Sequence, residues 1–98
     1  MKRHTLYVGL CDKDMKKQII NSLRAKQIVN SIVGDCSIQD IMGYYTHDNG
    51  MKVQENTLKV ECLFKDDRDI LGYCNDLKRL LNQESIAVVT DEINSVLI

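Results

Sequence analysis

An α+β sandwich with the element order β-α-β-β-α-β is the fold this sequence predicts. Three observations carry that expectation: a long β-hairpin centred on Asp48-Asn49-Gly50, an amphipathic helical stripe beginning near Ile70, and β-rich apolar runs towards both ends. The hairpin covers Cys36 to Phe64. Asn-Gly is the dipeptide that takes φ > 0 at both corners of a type I′ turn, so Asn49 and Gly50 are expected at the tip. In that register Ile41 faces Leu58, Asp40 faces Lys59, Met42 faces Thr57 and Tyr44 faces Glu55. An apolar pair and an opposite-charge pair are what a correct register gives, because a one-residue slip turns every side chain of a strand to the other face.

The chain opens with Thr5 to Leu10, where Leu6, Val8 and Leu10 alternate with Tyr7 and Gly9 as in a strand with one apolar face. Asp12 or Asp14 then caps a helix whose stripe is Met15, Ile19, Ile20 and Leu23, with Lys16, Lys17 and Arg24 beside it. Past Ala25 the apolar phase changes to Ile28, Val29, Ile32 and Val33, so a bend or break is expected near Gln27, and Gly34 ends the helix. After the hairpin, Lys65 to Arg68 supply a turn and a cap. Ile70, Cys74, Leu77 and Leu81 recur at helical spacing, widened by Tyr73 and Leu80. Ile86 to Thr90 is a β-branched run that reads as a strand buried on both faces. The tail ends in Val96-Leu97-Ile98, apolar enough to predict docking as an extra C-terminal strand.

Each βα unit buries its helix against the sheet. Under the right-handed crossover rule both helices fall on one face, which gives a ferredoxin-like βαββαβ sandwich spanning residues 1–98 as a single domain. The helix-covered face of the hairpin is then expected to hold Ile41, Leu58, Val60, Cys62 and Phe64. The uncovered face would hold Ile38, Asp40, Met42 and Tyr44, followed by Glu55, Thr57, Lys59, Glu61 and Leu63.

Composition narrows the function. Ninety-eight residues can bury one core, and 44% hydrophobic with 28% charged residues describe a globular chain. A formal net charge of -1 is wrong for a protein that lives by neutralising phosphates, so nucleic acid is not an expected partner. The longest apolar run near the N-terminus is too short for a signal or a membrane span; no membrane partner and a cytoplasmic location are expected. Cys11, Cys36, Cys62 and Cys74 form no CxxC pair and read as small buried hydrophobes, which leaves no metal site and no implied cofactor.

The hairpin pattern G-Y-Y-x-x-D-N-G-x-x-x-x-E-N-T-L-x-V (from Gly43), together with a first strand L-Y-V-G-L, resembles a family of small bacterial domains of unknown function. The element order and long hairpin are also similar to the CutA and PII proteins, ferredoxin-like trimers of which the PII branch binds nucleotides between subunits. The chain lacks the basic phosphate-binding residues of PII and has no Trp to match the hairpin of CutA. The resemblance implies a fold and a homotrimer.

Candidate binding residues concentrate on the hairpin: Tyr44, Tyr45, His47 and Glu55. The two tyrosines place rings on both faces of one strand, and His47 lies near the tip, where loops commonly carry binding chemistry. Tyr is also simply a good strand former, and an Asp-Asn-Gly tip is turn chemistry. No residue spacing marks a catalytic group. The favoured expectation is a non-enzymatic oligomer that binds a small polar ligand, such as a nucleotide, in clefts between subunits, to signal or to sequester it. The alternative is a small ferredoxin-like enzyme of the monooxygenase or isomerase kind, with His47 or Glu55 as base in a pocket against the sheet.

Overall fold

A computed structural model describes residues 1–46 and 49–98. The described residues form β1 (Lys2–Gly9), α1 (Ser22–Val33), β2 (Ser37–Thr46), β3 (Lys52–Leu63), α2 (Asp67–Leu80) and β4 (Ala87–Glu92). The strands make one antiparallel sheet in the order β2-β3-β1-β4. This is the ferredoxin-like arrangement. Leu6 and Val8 of β1, with Leu58, Val60 and Cys62 of β3, project into a core completed by Ala25, Val29 and Val33 of α1 and Ile70, Cys74 and Leu77 of α2. Both helices therefore cover the same face.

The second helix starts as its sequence predicts. Asp66 caps it by accepting from the Asp69 amide, while the Asp69 side chain accepts from the Asp66 amide in a reciprocal capping box. Asp67 and Asp69 in the first turn, with Lys78 and Arg79 in the last, complement the helix dipole.

The first helix differs from expectation. It begins at Ser22, capped by Asn21, whose side chain accepts from the Arg24 amide. Asp12 accepts instead from the amides of Asp14 and Met15, closing a local turn, and Cys11 bridges to Gln18. Its short side chain caps a turn as readily as a helix. Met15, Ile19 and Leu23 are consequently exposed, and the buried stripe is Ala25, Val29 and Val33.

The hairpin register is shifted by one residue from the predicted one. Ile41 pairs with Thr57, Asp40 with Leu58, Met42 with Asn56 and Tyr44 with Gln54; the last described pair is Thr46 with Lys52. Asp48, which flanks the expected two-residue turn, lies outside the described residues. The Asn49 side chain accepts from the Met51 amide and Gly50 takes φ 83. The slip inverts the expected faces of β2. Ile38, paired with Val60, packs on the core, and Asp40 reaches Ser22 and Lys26 of α1. Ile41 lies on the uncovered face.

Three further expectations are corrected. β4 is an edge strand paired only to β1, so Val88 and Val89 are largely exposed rather than buried on both faces. Phe64 leaves the sheet at φ 62 and is exposed. Val96, Leu97 and Ile98 form no strand and are exposed. Among the described residues no helix is long and apolar enough to cross a membrane.

Candidate functional site

At the hairpin end of the uncovered sheet face, two glycines remove the side chains that would otherwise cover β1 and β2. Gly9 lies beside Thr57, and Gly43 lies opposite Glu55, so all four share one face. The Glu55 side chain crosses onto Gly9, where an added Cβ would stand 2.6 Å from the carboxyl carbon. There Oε2 accepts from the Cys11 amide at 2.9 Å. The Tyr45 ring folds back over Gly43 in the same way, its Cζ lying 2.7 Å from where a Cβ would be. A glycine within a strand marks such a close approach.

Of the four residues singled out in the sequence, the structure brings Tyr45 and Glu55 to this shared face. Tyr44 is on the opposite, helix-side face of β2 and is mostly exposed; it faces Gln54 and not Glu55, because the register is shifted. His47 lies outside the described residues. On the opposite face of β3 the Asn56 side-chain amide donates to Gln18 Oε1 at 2.7 Å, which ties the β1–α1 loop to the sheet next to the bridge between Cys11 and Gln18. Gly9, Gly43 and the Cys11 amide were not singled out from the sequence. Glycines inside otherwise regular strands were the signal that pointed to them.

The site offers an anchored carboxylate, a phenol ring and a sheet floor. Burial and then the nearby Glu55 charge push the Cys11 thiol up, which keeps it protonated and a poor nucleophile. Cys62, in the core, is pushed up to about 11 chiefly by burial. Neither cysteine is arranged for thiolate chemistry. Among the described residues no group of three or more His, Cys, Asp or Glu side chains is arranged to hold a metal ion.

No protein-family model matches the chain, and no curated protein matches it by sequence. Solved structures do. The chain is similar to a phage SAM lyase in complex with S-methyl-5′-thioadenosine, with a TM-score of 0.67 and 22% identity over 93% of this chain and 80% of that one. It is also similar to a phage SAM lyase in the apo state, with a TM-score of 0.61 and 21% identity over 92% of this chain and 78% of that one. At such identities the likeness establishes the fold. Both neighbours are enzymes, one of them with a ligand bound, and this overturns the expectation of a non-enzymatic ligand-binding protein in favour of the enzyme alternative.

Proposed function

We propose that this protein is an enzyme that binds S-adenosylmethionine and cleaves its sulfonium–carbon bond without water, releasing S-methyl-5′-thioadenosine. The observation that carries the reading is the likeness, over nearly the whole chain, to a SAM lyase whose structure holds that thioadenosine. The open-face site supports it chemically. A sulfonium is a soft cation, and a carboxylate beside an aromatic face is a pairing that attracts one. Glu55, over Gly9, and Tyr45, over Gly43, put a carboxylate and an aromatic ring on the same sheet face.

The reaction needs little from the protein. The sulfur–Cγ bond breaks with its electron pair passing to sulfur, and the substrate's own carboxylate oxygen bonds to Cγ, closing a five-membered lactone. Atoms and charge balance with no added reactant. Because the sulfonium charge disappears on the way to the transition state, a carboxylate next to sulfur favours the substrate more than the transition state. Glu55 is therefore a binding and orienting group, and the rate gain comes from holding the substrate folded so that its carboxylate reaches Cγ. The Cys11 amide fixes the rotamer of Glu55 for that task.

The remaining partner expectation, self-association, is retained as part of this proposal. After the register correction the uncovered face carries Tyr7, Ile41, Leu63 and Val89, an apolar set suited to a second copy of the chain. A trimer rests on the resemblance to CutA and PII. A cytoplasmic location accords with a substrate made inside cells.

The test is incubation of the purified protein with S-adenosylmethionine and product analysis by mass spectrometry. The expected result is equimolar S-methyl-5′-thioadenosine and a four-carbon lactone, with no solvent oxygen incorporated from labelled water. Failure to form the thioadenosine at saturating substrate defeats the reading.

A further inference from the structure

The loop that carries the Cys11 amide is itself held by the end of α2. That helix closes in the manner of a Schellman motif: the Leu81 amide donates to Leu77 O, Asn82 takes φ 49, and the Gln83 amide donates to Lys78 O. The turn brings two side chains to the loop. Asn82 Nδ2 donates to Asp12 Oδ2 at 3.0 Å and to Asp14 Oδ2 at 2.8 Å, while the Asn82 carbonyl accepts from the Lys13 amide at 3.1 Å. Gln83 reaches deeper. It is 8% exposed, and its Nε2 donates to Cys11 O at 2.8 Å and to Leu81 O at 3.2 Å. Two carbonyl oxygens around one end of a side-chain amide require its NH2 group there, which decides the orientation of Gln83.

Cys11 is therefore held from two layers at once. Its N–H donates to Glu55 Oε2 on the open sheet face, and its C=O accepts from Gln83 at the end of α2. Peptide groups are planar, so only the two soft torsions of Cys11 lie between that N–H and that C=O. On the strand side the Leu10 amide donates to Asn56 O, which fixes the chain as it leaves β1. On the loop side the Cys11–Asp12 peptide is fixed at both ends, its C=O by Gln83 and its N–H by Lys17 O at 2.8 Å. Lys17 belongs to the same loop, whereas Gln83 ties the peptide to the packed helix layer. The direction of the Cys11 N–H thus depends on a side chain that never touches Glu55.

We propose that Gln83 is a positioning residue for the substrate site: by holding Cys11 O it aims the Cys11 N–H at Glu55 and keeps that carboxylate over Gly9. Its part in substrate binding rests on the lyase reading, whereas the placement of Glu55 stands on the hydrogen bonds alone. Gln83→Met keeps the length of the side chain and removes the donor. Hydrogen exchange at the Cys11 amide, followed by NMR, should then quicken about tenfold, while exchange at Leu10, whose amide is bonded to β3, stays as in wild type. KM for S-adenosylmethionine should rise several-fold, the loss falling on KM rather than kcat. In a Glu55→Ala background the same substitution should add nothing to KM, because the group it positions is gone; a merely structural contribution would add in full. An unchanged Cys11 exchange rate, an unmoved KM in Gln83→Met, or a KM penalty that persists beside Glu55→Ala overturns the proposal. If the wild-type protein forms no thioadenosine, the lyase reading falls and the Cys11 exchange rate alone decides the placement of Glu55. Should Gln83→Met not fold, nuclear Overhauser contacts between the Gln83 side-chain amide and Cys11 in the wild-type protein are expected, and their absence overturns the proposal.

Discussion

The carboxylate of Glu55 fills the space that a side chain on Gly9 would take. The two positions belong to neighbouring strands, and the Cys11 amide holds the arrangement from the loop side. Gly9→Ala therefore acts on the site more than on the fold. The group it strikes is the far end of a flexible side chain, which can swing into solvent, so the melting temperature should move by only a few degrees, equivalent to about 1 kcal/mol or less. Under the proposed function, KM for S-adenosylmethionine should rise several-fold as Glu55 is displaced. A wild-type KM in the variant would show that this carboxylate position is not used.

Glu55→Gln keeps the shape and removes the charge. A hydrogen bond or ion contact to a charged group is worth about 1.5–3 kcal/mol, so kcat/KM should fall about tenfold to a hundredfold. The loss should fall mainly on KM, because the charge favours substrate over transition state. Steady-state kinetics on the variant decide this; a loss confined to kcat would give Glu55 a role in the chemical step instead.

Leu77 is fully buried beneath the sheet, among the core side chains of α2. Leu77→Ala should cost about 2–5 kcal/mol, the range for a large-to-small core change. Denaturant unfolding measures it, and a wild-type midpoint would mean that α2 packs through another face.

Acid should loosen the β1–α1 loop. Asp12 is held below the usual carboxylate range, chiefly by the Met15 amide and next by the Asn82 side chain, opposed by a smaller effect of burial. Asp40 is lowered by its hydrogen bonds to Lys26 and Ser22. A carboxyl depressed on folding stabilises the native state above its unfolded pKa, and that contribution is lost as pH falls through the depressed folded value. Stability should therefore decline between about pH 5 and pH 2, and Asp12→Asn should flatten part of the decline. An identical acid profile in that variant would remove Asp12 from the explanation.

The sequence disclosed the fold but misplaced its details where short-range chemistry had two solutions. Element order, the α2 stripe and the Asp66 cap were legible because several signals agreed over many residues. Asp12 was ambiguous, since an aspartate caps a turn or a helix alike, and the apolar Met15, Ile19 and Leu23 fell at helical spacing by coincidence. Asn49-Gly50 lies between β2 and β3 as expected, yet the register of the two strands is shifted by one from the one that a two-residue turn there would give. That single step carried Ile38 to the core and Ile41 to the open face. Glu55 and Tyr45 were visible as candidates. The placing of the Glu55 carboxylate over Gly9 was not, because a diagonal approach across strands depends on the register.

The uncovered face supplies the last prediction. Thr5 and Thr57 are buried on it within a single chain, while Tyr7, Ile41 and Leu63 are half-buried and Val89 is exposed. Arg3 lies at one end of this face, between Glu61 and Asp91, in ion pairs exposed enough to contribute little by themselves. A second copy covering this face would exclude water from the apolar residues and strengthen those pairs, with Lys59 and Glu61 of the central strand β3 making the interface partly polar. Sedimentation at micromolar concentration should then give a mass that is a multiple of 11.2 kDa, three-fold if the CutA and PII likeness holds. Ile41→Lys places an unpaired charge on the covered face and should release monomers, since burying a lone charge costs several kcal/mol. Ile41 contributes little to the core of its own chain, so the released monomer should keep its helical content by circular dichroism. A wild-type protein that sediments as 11.2 kDa monomers would defeat the association proposal and leave the Glu55 site to work within one chain.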